Sequence, residues 1–246
     1  MWPFKKKKNK MRFEYFADGF GVLSKTRGFM TSDAFEQAWE FAAKHSESGW
    51  AGTGGVPDIR WRVHIAIWAA NHGLSLEGDF VECGVFTGIL SLSICKYLQF
   101  DRVEKNFWLY DGWGCIPIDS VEPSERSAVE NLNKVLYSRD NVYESVVKAF
   151  SPYPNCNLVR GMLPETLERS PDKIAYLSVD LNNAPAEKAC IELLWPRLSN
   201  GAIVVIDDYA WVGHELQRDM WDKFAASHNQ LVATLPTGQG ILIKSS

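Results

Sequence analysis

The hydrophobic pattern of the chain changes its period near residue 79. Before that point, apolar side chains recur at helical spacing, as in the stretch from Phe35 to Ala42. That stretch follows Thr31-Ser32-Asp33, which is typical of a helix start. After residue 79, short apolar runs rich in β-branched residues alternate with amphipathic stretches. This alternation predicts an α/β fold with a doubly wound, mostly parallel sheet.

The alternating region contains seven predicted strands, and the last two are expected to form a closing hairpin with one antiparallel strand. The predicted strands cover residues 79–84, 106–111, 157–160, 174–180, 202–207, 231–235 and 240–244. The predicted helices within it cover roughly 88–98, 124–137, 185–198 and 213–227, and a further helix covers 58–71.

We divide the chain into three parts on this pattern. Residues 1–10 form a basic tail, and residues 11–56 form a largely helical N-terminal extension. The apolar stripes of the extension suit either a lid over a substrate or a contact in a homo-oligomer. Residues 57–246 form the seven-stranded α/β domain.

Two neighbouring predicted strands end in acidic residues. The run 174–179 is followed by Asp180, and the run 202–206 is followed by Asp207 and Asp208. Because the carboxyl ends of parallel strands meet at one edge of a sheet, the three carboxylates should converge there. Such a cluster needs protons or a hard cation such as Mg²⁺, although single acids at strand ends also cap helices.

The loop after the first predicted strand reads Glu82-Cys83-Gly84-Val85-Phe86-Thr87-Gly88. Its glycines permit tight turns, but it is not the G-x-G-x-x-G pattern of dinucleotide enzymes. A carboxylate at Glu82 suits an amine rather than phosphates. The second strand ends in Asp111-Gly112-Trp113, where an acid can accept hydrogen bonds from a ribose. S-adenosylmethionine combines both groups, and a plain strand–helix turn is the alternative interpretation.

Composition limits which binding partners and which cellular compartment we expect. The net charge is −4, and outside the five lysines of residues 1–10 the chain has 21 basic against 30 acidic residues. This balance argues against nucleic-acid binding. The five cysteines are widely spaced, and no apolar run has the length of a membrane span or the form of a signal peptide. We expect a cytoplasmic protein, whose basic tail either is solvated or makes weak contact with the inner face of the membrane.

Five motifs occur in a characteristic order. They are Val81-Glu82-Cys83-Gly84-Val85, Asp111-Gly112-Trp113, the run Arg160 to Leu167, Val179-Asp180 and Ile206-Asp207-Asp208-Tyr209. Together they resemble the macrocin O-methyltransferase family over roughly residues 57–244. The resemblance implies a class I methyltransferase fold of the Rossmann-like type, S-adenosylmethionine as methyl donor, Mg²⁺ and a sugar hydroxyl as acceptor.

The resemblance also implies roles for individual residues. Glu82 and Gly84 would line the methionine end of the cofactor, and Asp111 would hold its ribose. Gly161 and Met162 would border the adenine. The metal would be bound by Asp180, Asp207 and Asp208.

The chain departs from the family pattern after the fourth predicted strand. The family has a second acid there, assigned as the general base, but this chain has Asn182, which cannot take a proton at neutral pH. His214, at the start of the next helix, is a candidate substitute base or an exposed helix-start residue. Gln239, in a turn expected at the same edge, contacts substrate or simply belongs to the turn.

The sequence therefore predicts a Mg²⁺-dependent O-methyltransferase that modifies a sugar, a polysaccharide or a glycosylated metabolite. A methyltransferase-like scaffold without turnover is the first alternative, and Asn182 is the reason to consider it. A nicotinamide oxidoreductase is the second, and the missing glycine motif argues against it.

Overall fold

The structure, a computed structural model, describes residues 13–245. Its centre is a seven-stranded sheet in the order β5-β4-β3-β6-β7-β9-β8, in which β3 to β7 are parallel and β9 is antiparallel to both of its neighbours. These strands are β3 (Asp79–Cys83), β4 (Phe107–Asp111), β5 (Cys156–Arg160), β6 (Ile174–Val179), β7 (Leu198–Ile206), β8 (Ala233–Thr234) and β9 (Gly240–Ile243). The doubly wound sheet and its closing hairpin are as predicted.

Helices cover both faces of this sheet and bury two hydrophobic clusters. The helices are α1 (Asp33–Ser46), α2 (Arg60–Gly73), α3 (Ile89–Leu98), α4 (Arg126–Leu132), α5 (Val142–Phe150), α6 (Ala184–Leu194) and α7 (Glu215–Ser227). Helices α1, α2, α3 and α5 contribute to one cluster, and α6 and α7 contribute to the other. The central strand β6 is buried on both faces, which explains its continuous apolar run.

The N-terminal extension differs from the prediction of a largely helical segment. Its helix α1 is present, but the chain before it forms a β-hairpin of β1 (Tyr15–Ala17) and β2 (Phe20–Val22). Asp18 and Gly19 make the turn, with φ of 54° and 65°. Asp-Gly between aromatic residues is a strong hairpin signal, which the helical interpretation of this segment overlooked.

The region between β4 and β5 also differs from the prediction. Helix α4 is short and continues as a π-helical turn over Asn133–Tyr137, where a single helix over 124–137 was expected. Helix α5 was not predicted. It starts after Asn141, whose φ of 65° breaks the chain direction and separates α5 from the preceding turn.

The predicted membrane contact of residues 1–10 lies outside the described residues. Within residues 13–245, none of the helices combines the length and the apolar character needed to span a bilayer.

Gly84 follows β3 at a point where the backbone of the neighbouring strand comes very close. Its φ is +88°, and a Cβ there would lie 1.8 Å from the carbonyl oxygen of Asp180. Gly52 also has a positive φ, +78°, but a Cβ there would meet nothing within 4 Å. An alanine at position 52 therefore measures the cost of the backbone conformation alone, whereas an alanine at position 84 adds the cost of the clash.

We expect Gly84→Ala to lower the free energy of unfolding by several kcal/mol, because the clash forces β3 and β6 apart. Gly52→Ala should cost only about 1–2 kcal/mol, since it introduces the left-handed conformation alone. Urea unfolding followed by circular dichroism measures both values. Equal losses in the two variants would contradict the close approach at Gly84.

Candidate active site

The three predicted aspartates meet at the carboxyl edge of the sheet. Asp180 directly follows β6, and Asp207 and Asp208 directly follow β7. Each offers one oxygen in a set whose members all lie within 4.8 Å of one another. Asp207 is buried, and the other two are partly exposed. The parallel pairing of β6 with β7 produces this convergence.

Side chains around the cluster hold its carboxylates by hydrogen bonds. Asn182 Nδ2 donates to Asp180 Oδ1 at 2.9 Å, and Gln239 Nε2 donates to Asp207 Oδ1 at 3.2 Å. Arg62 Nη1 lies 2.5 Å from Asp207 Oδ2 and 3.1 Å from Asp208 Oδ1. Gln239 is fully buried, so its role in the structure is to orient Asp207 rather than to face a substrate.

The electrostatics of the cluster favour a bound cation. Burial raises the pKa of Asp180 well above its usual range, and the charges of Asp207 and Asp208 raise it further. Burial also raises the pKa of Asp207, although Arg62 opposes that effect. A divalent cation would offset the repulsion, and three carboxylate oxygens are the ligand type that Mg²⁺ prefers. The residues present therefore fit this ion.

A cavity that is open to solvent lies beside the cluster, and all three aspartates line it. Acidic side chains form its floor, while aromatic and aliphatic side chains form its walls. The floor contains Asp18, Glu82, Asp180, Asp207 and Asp208, with Arg62 between them. The walls include Trp50, Pro57, Ile59, Phe86, Leu132, Leu136 and Tyr137. We call this space the acidic cavity.

A second cavity lies over the carboxyl ends of β3 and β4. Four of the predicted cofactor residues line it: Gly84, Asp111, Gly112 and Met162. We call it the β4 cavity. Gly84, Phe86, Tyr137, Asp180 and Asn182 line both cavities. The two spaces therefore adjoin, with Asp180 at their boundary.

Asp111 also has a structural task that the sequence did not indicate. Its Oδ2 accepts from the backbone N–H groups of Val85 and Phe86, both at 2.7 Å, and its Oδ1 accepts from the N–H of Trp113. The carboxylate thus fixes the loop after β3 to the loop after β4. Asp111 also lines the β4 cavity.

Glu82 is the last but one residue of β3, and its side chain is buried beneath the acidic cavity. Burial raises its pKa to about 8. Its Oε2 has no hydrogen-bond partner among residues 13–245. A buried carboxylate oxygen without a partner is costly, so an ammonium group entering the cavity is a suitable ligand.

Among the other residues predicted to bind the cofactor, Cys83, Gly88, Trp113 and Gly161 line neither cavity. Val85 and Thr87 line the acidic cavity. Trp113 Nε1 donates to the Phe86 carbonyl at 2.8 Å, and the Gly161 N–H donates to the Asp111 carbonyl at 3.0 Å. The Cys83 side chain is buried in a hydrophobic cluster that also contains Cys190, and Gly88 precedes α3 with φ of 77°.

Asn182 lies at the boundary of the two cavities. Its φ is 58°, in the left-handed region that Asn tolerates better than most residues. Besides its bond to Asp180, its amide lies 3.3 Å from the Tyr137 hydroxyl. Asn182 therefore positions a carboxylate of the cluster.

His214, the candidate substitute base, lies apart from the residues that line the two cavities. His214 immediately precedes α7, as expected, but it does not line the acidic cavity or the β4 cavity among the residues described. In the loop between Asp208 and α7, Trp211 packs over Arg62, with the guanidinium 5.0 Å from the ring.

Sequence reasoning missed two residues of the site, Arg62 and Tyr137. Arg62 lies on α2, far from the aspartates in sequence, yet only 8% of its surface is exposed. An arginine between the apolar positions of α2 is the only signal that the sequence offers for it. Tyr137 ends the π-helical turn, and the assignment of that segment as a regular helix concealed its direction.

Comparison with known proteins assigns this fold to a class. The solved structure of the O-methyltransferase NovP superposes with a TM-score of 0.68 over 86% of this chain and 98% of its own, at 18% identity. The calicheamicin methyltransferase CalS11 superposes with a TM-score of 0.62 over 91% and 98%, at 16% identity. The fold is that of the class I methyltransferases.

The family follows from a sequence comparison. The model of the family described as macrocin-O-methyltransferase (TylF) matches residues 67–235, which is more than half of the chain. This chain belongs to that family, as its motifs suggested.

Two curated relatives are similar over shorter stretches. Demethyldecarbamoylnovobiocin O-methyltransferase of Streptomyces niveus is 27% identical over 146 residues, covering 56% of this chain and 55% of its own length. Mycinamicin III 3''-O-methyltransferase of Micromonospora griseorubida is 26% identical over 144 residues, covering 54% and 56%. The chain spans about half the length of the curated relatives it matches.

The raised pKa of Glu82 predicts a specific pH dependence of stability. The folded state keeps the proton up to about pH 8, whereas the unfolded state loses it near pH 4.5. Between these values the folded chain binds more protons, so its free energy of unfolding falls as pH rises, by up to about 1.4 kcal/mol per pH unit. Above pH 8 the contribution levels off.

We therefore expect Glu82→Gln, which cannot ionise, to gain stability relative to the wild type as the pH is raised from 5 to 8. Urea unfolding in EDTA without cofactor measures the difference at each pH. Glu192→Gln serves as a control, since Glu192 is exposed and pairs with Lys188. Parallel pH profiles for the wild type and Glu82→Gln would contradict the buried, protonated carboxyl.

Proposed function

We propose that this protein is an S-adenosylmethionine-dependent O-methyltransferase that uses Mg²⁺ and methylates a hydroxyl of a sugar or glycosylated compound. The observation that carries the proposal is the adjacency of two cavities at a boundary formed by Asp180 and Asn182. One cavity has the features of a cofactor site, and the other lies over three converging carboxylates. Membership of the macrocin O-methyltransferase family supports the same activity.

The β4 cavity and Glu82 support the assignment of S-adenosylmethionine. Asp111 borders that cavity at the end of β4, where an acid can accept from the ribose hydroxyls. Met162, 45% exposed beside Gly112, offers an apolar contact for the adenine. The unpartnered oxygen of Glu82 suits the ammonium of the methionine part. When bound, the sulfonium supplies the methyl group in a displacement by the acceptor oxygen.

The three aspartates would hold the Mg²⁺ ion. Such an ion would supply Lewis acidity that makes the acceptor hydroxyl easier to deprotonate. Asn182 and Gln239 keep Asp180 and Asp207 in converging orientations by the hydrogen bonds described above. Such partners contribute strongly to the affinity of metal ligands.

Asp208 is the residue of this chain best placed to accept the proton of the acceptor. Its Oδ1 is bound by Arg62, while its side chain remains 20% exposed and lines the acidic cavity. Asn182 acts on Asp180 and takes no proton. Neither the proton transfer nor the transfer of the methyl group then requires His214.

The walls of the acidic cavity support a glycoside as acceptor. Trp50 and Phe86 offer flat apolar faces, against which the face of a sugar ring or an apolar aglycone can pack. The relatives named above are methyltransferases of demethyldecarbamoylnovobiocin and mycinamicin III. Asp18 and Trp50 belong to the N-terminal extension, which supports a role for residues 11–56 in covering the acceptor.

The proposal predicts that methyl transfer needs the metal cluster but that cofactor binding does not. Formation of S-adenosylhomocysteine should be measured with a panel of deoxysugar glycosides, with Mg²⁺ or with EDTA. We expect EDTA, Asp207→Asn and Asp208→Asn each to lower the rate by about 100-fold or more, which corresponds to a few kcal/mol of barrier. Asp219→Asn, at an exposed ion pair on α7, should leave it unchanged.

Calorimetry with S-adenosylhomocysteine supplies the second readout, and its affinity should be similar in all these variants. Retention of full activity in EDTA would show that the reaction does not use a metal. Binding of the nucleoside without transfer to any glycoside would favour the scaffold interpretation that Asn182 raised.

The assignment of Asn182 as a positioning residue makes a further prediction. Asn182→Asp replaces a donor 2.9 Å from Asp180 by a second carboxylate, and like charges at that distance disfavour joint ionisation. We expect turnover at pH 7 to fall about tenfold or more, with a smaller loss at pH 9 and at high Mg²⁺. A faster Asn182→Asp variant would show instead that the base belongs at position 182 and not at Asp208.

A further inference from the structure

Arg62 forms an ion-pair network that the proposed function does not explain. Its Nε and Nη2 bond to Asp18 at 2.7 Å and 3.2 Å, while its Nη1 bonds to Asp207 and Asp208. Its guanidinium also lies 5.0 Å from the ring of Trp211. One planar group therefore joins the turn of the β1–β2 hairpin to the carboxylate cluster. Both Asp18 and Arg62 lie before residue 67, where the family match begins.

The β1–β2 hairpin also packs against α2 through contacts outside this network. Tyr15 and Phe20 pack against Trp61 of α2, with ring centroids 5.7 Å and 5.1 Å apart. The Tyr15 hydroxyl also donates to the Asp58 carbonyl at 3.1 Å. These contacts present Asp18, at the hairpin turn, to the side of Arg62 that faces away from the cluster.

The geometry at Asp207 and Asp208 shows what the guanidinium does to them. Both oxygens of Asp207 are engaged, Oδ2 by Arg62 and Oδ1 by Gln239. Asp208 is bound through Oδ1, which leaves its Oδ2 for another ligand. Adjacent carboxylates repel each other, so a shared donor between them fixes orientations that they would not keep alone.

We propose that Arg62 is the positioning residue of the carboxylate cluster and that, through Asp18, it couples cation binding there to the seating of the β1–β2 hairpin. The fork of the guanidinium is essential, because one group must bond to the hairpin on one side and to two aspartates on the other. This inference rests on the proposed cation site. The inference adds the β1–β2 hairpin to that site.

The charge of Arg62 and its geometry act in opposite directions on cation affinity. Removing a positive charge would strengthen the attraction of the aspartates for a cation, whereas losing the fixed orientation would weaken it. Loss of groups that orient metal ligands typically costs 10- to 100-fold in affinity. The proposal therefore predicts weaker binding in Arg62 variants, and charge alone predicts tighter binding.

The first test is Mn²⁺ binding to the full chain, measured by electron paramagnetic resonance and by calorimetry. We expect Arg62→Gln and Arg62→Lys both to raise the dissociation constant by about 10-fold or more, because lysine keeps the charge but not the fork. Arg60→Gln is the matched control. Arg60 lies on the same helix beside Tyr15 and pairs with Asp58, so its loss should leave Mn²⁺ affinity within twofold of the wild type.

The second test is hydrogen exchange of residues 15–22 with and without Mn²⁺. We expect Mn²⁺ to slow exchange there in the wild type and in Arg60→Gln but not in Arg62→Gln. Asp18→Asn, a milder change, should also abolish this protection and raise the dissociation constant. It keeps the proposal testable if the Arg62 variants do not fold.

The proposal would be overturned if folded Arg62→Gln bound Mn²⁺ as tightly as the wild type or more tightly. It would also be overturned if Mn²⁺ did not change hydrogen exchange of the hairpin in the wild type. If the wild type binds no Mn²⁺, the metal assignment of the proposed function is wrong and the coupling is overturned with it. Another outcome is that the wild type binds Mn²⁺ while the Arg62 and Asp18 variants show the same Mn²⁺ affinity and hairpin exchange as the wild type. In that case the cation site stands and Arg62 has no part in it.

Discussion

The repulsion between carboxylates at one edge of the sheet is the constraint around which the site is organised. Parallel pairing of β6 with β7 makes Asp180, Asp207 and Asp208 converge, and burial makes the charges of Asp180 and Asp207 expensive. Every neighbouring polar group that contacts them is a donor: Arg62, Asn182 and Gln239. These donors come from α2, the loop after β6 and the closing hairpin, so the cluster connects parts of the chain that are far apart in sequence.

The same edge separates the two halves of the proposed reaction. The β4 cavity lies beyond the ends of β3 and β4, and the acidic cavity lies beyond the ends of β3, β6 and β7, with Gly84 and Asp180 lining both. In the proposed reaction, the close approach of β3 and β6 at Gly84 would bring the methyl donor and the acceptor near each other. Such positioning can supply much of the acceleration of a transfer reaction.

The fold was predictable because its signals are local and repeated. The apolar run of β6 suits only a strand buried on both faces, and the acids directly after β6 and β7 mark the ends of those strands. Parallel sheets then place strand ends at one edge, so the convergence of the aspartates followed from topology. The hairpin at residues 15–22 had an equally local signal, Asp18-Gly19, but the helical pattern after it dominated the interpretation.

The sequence by itself thus determined the sheet, the acidic cluster and the loop from Glu82 to Gly88. Only the tertiary structure decided which side chains face that cluster. Arg62 bonds to the cluster from α2, and Gln239 bonds to it from the turn before β9. His214 lines neither cavity, although it follows Asp208 by six residues. The physical reason is that a strand end fixes where the backbone arrives, whereas the direction of a side chain in a loop or helix depends on how distant elements pack.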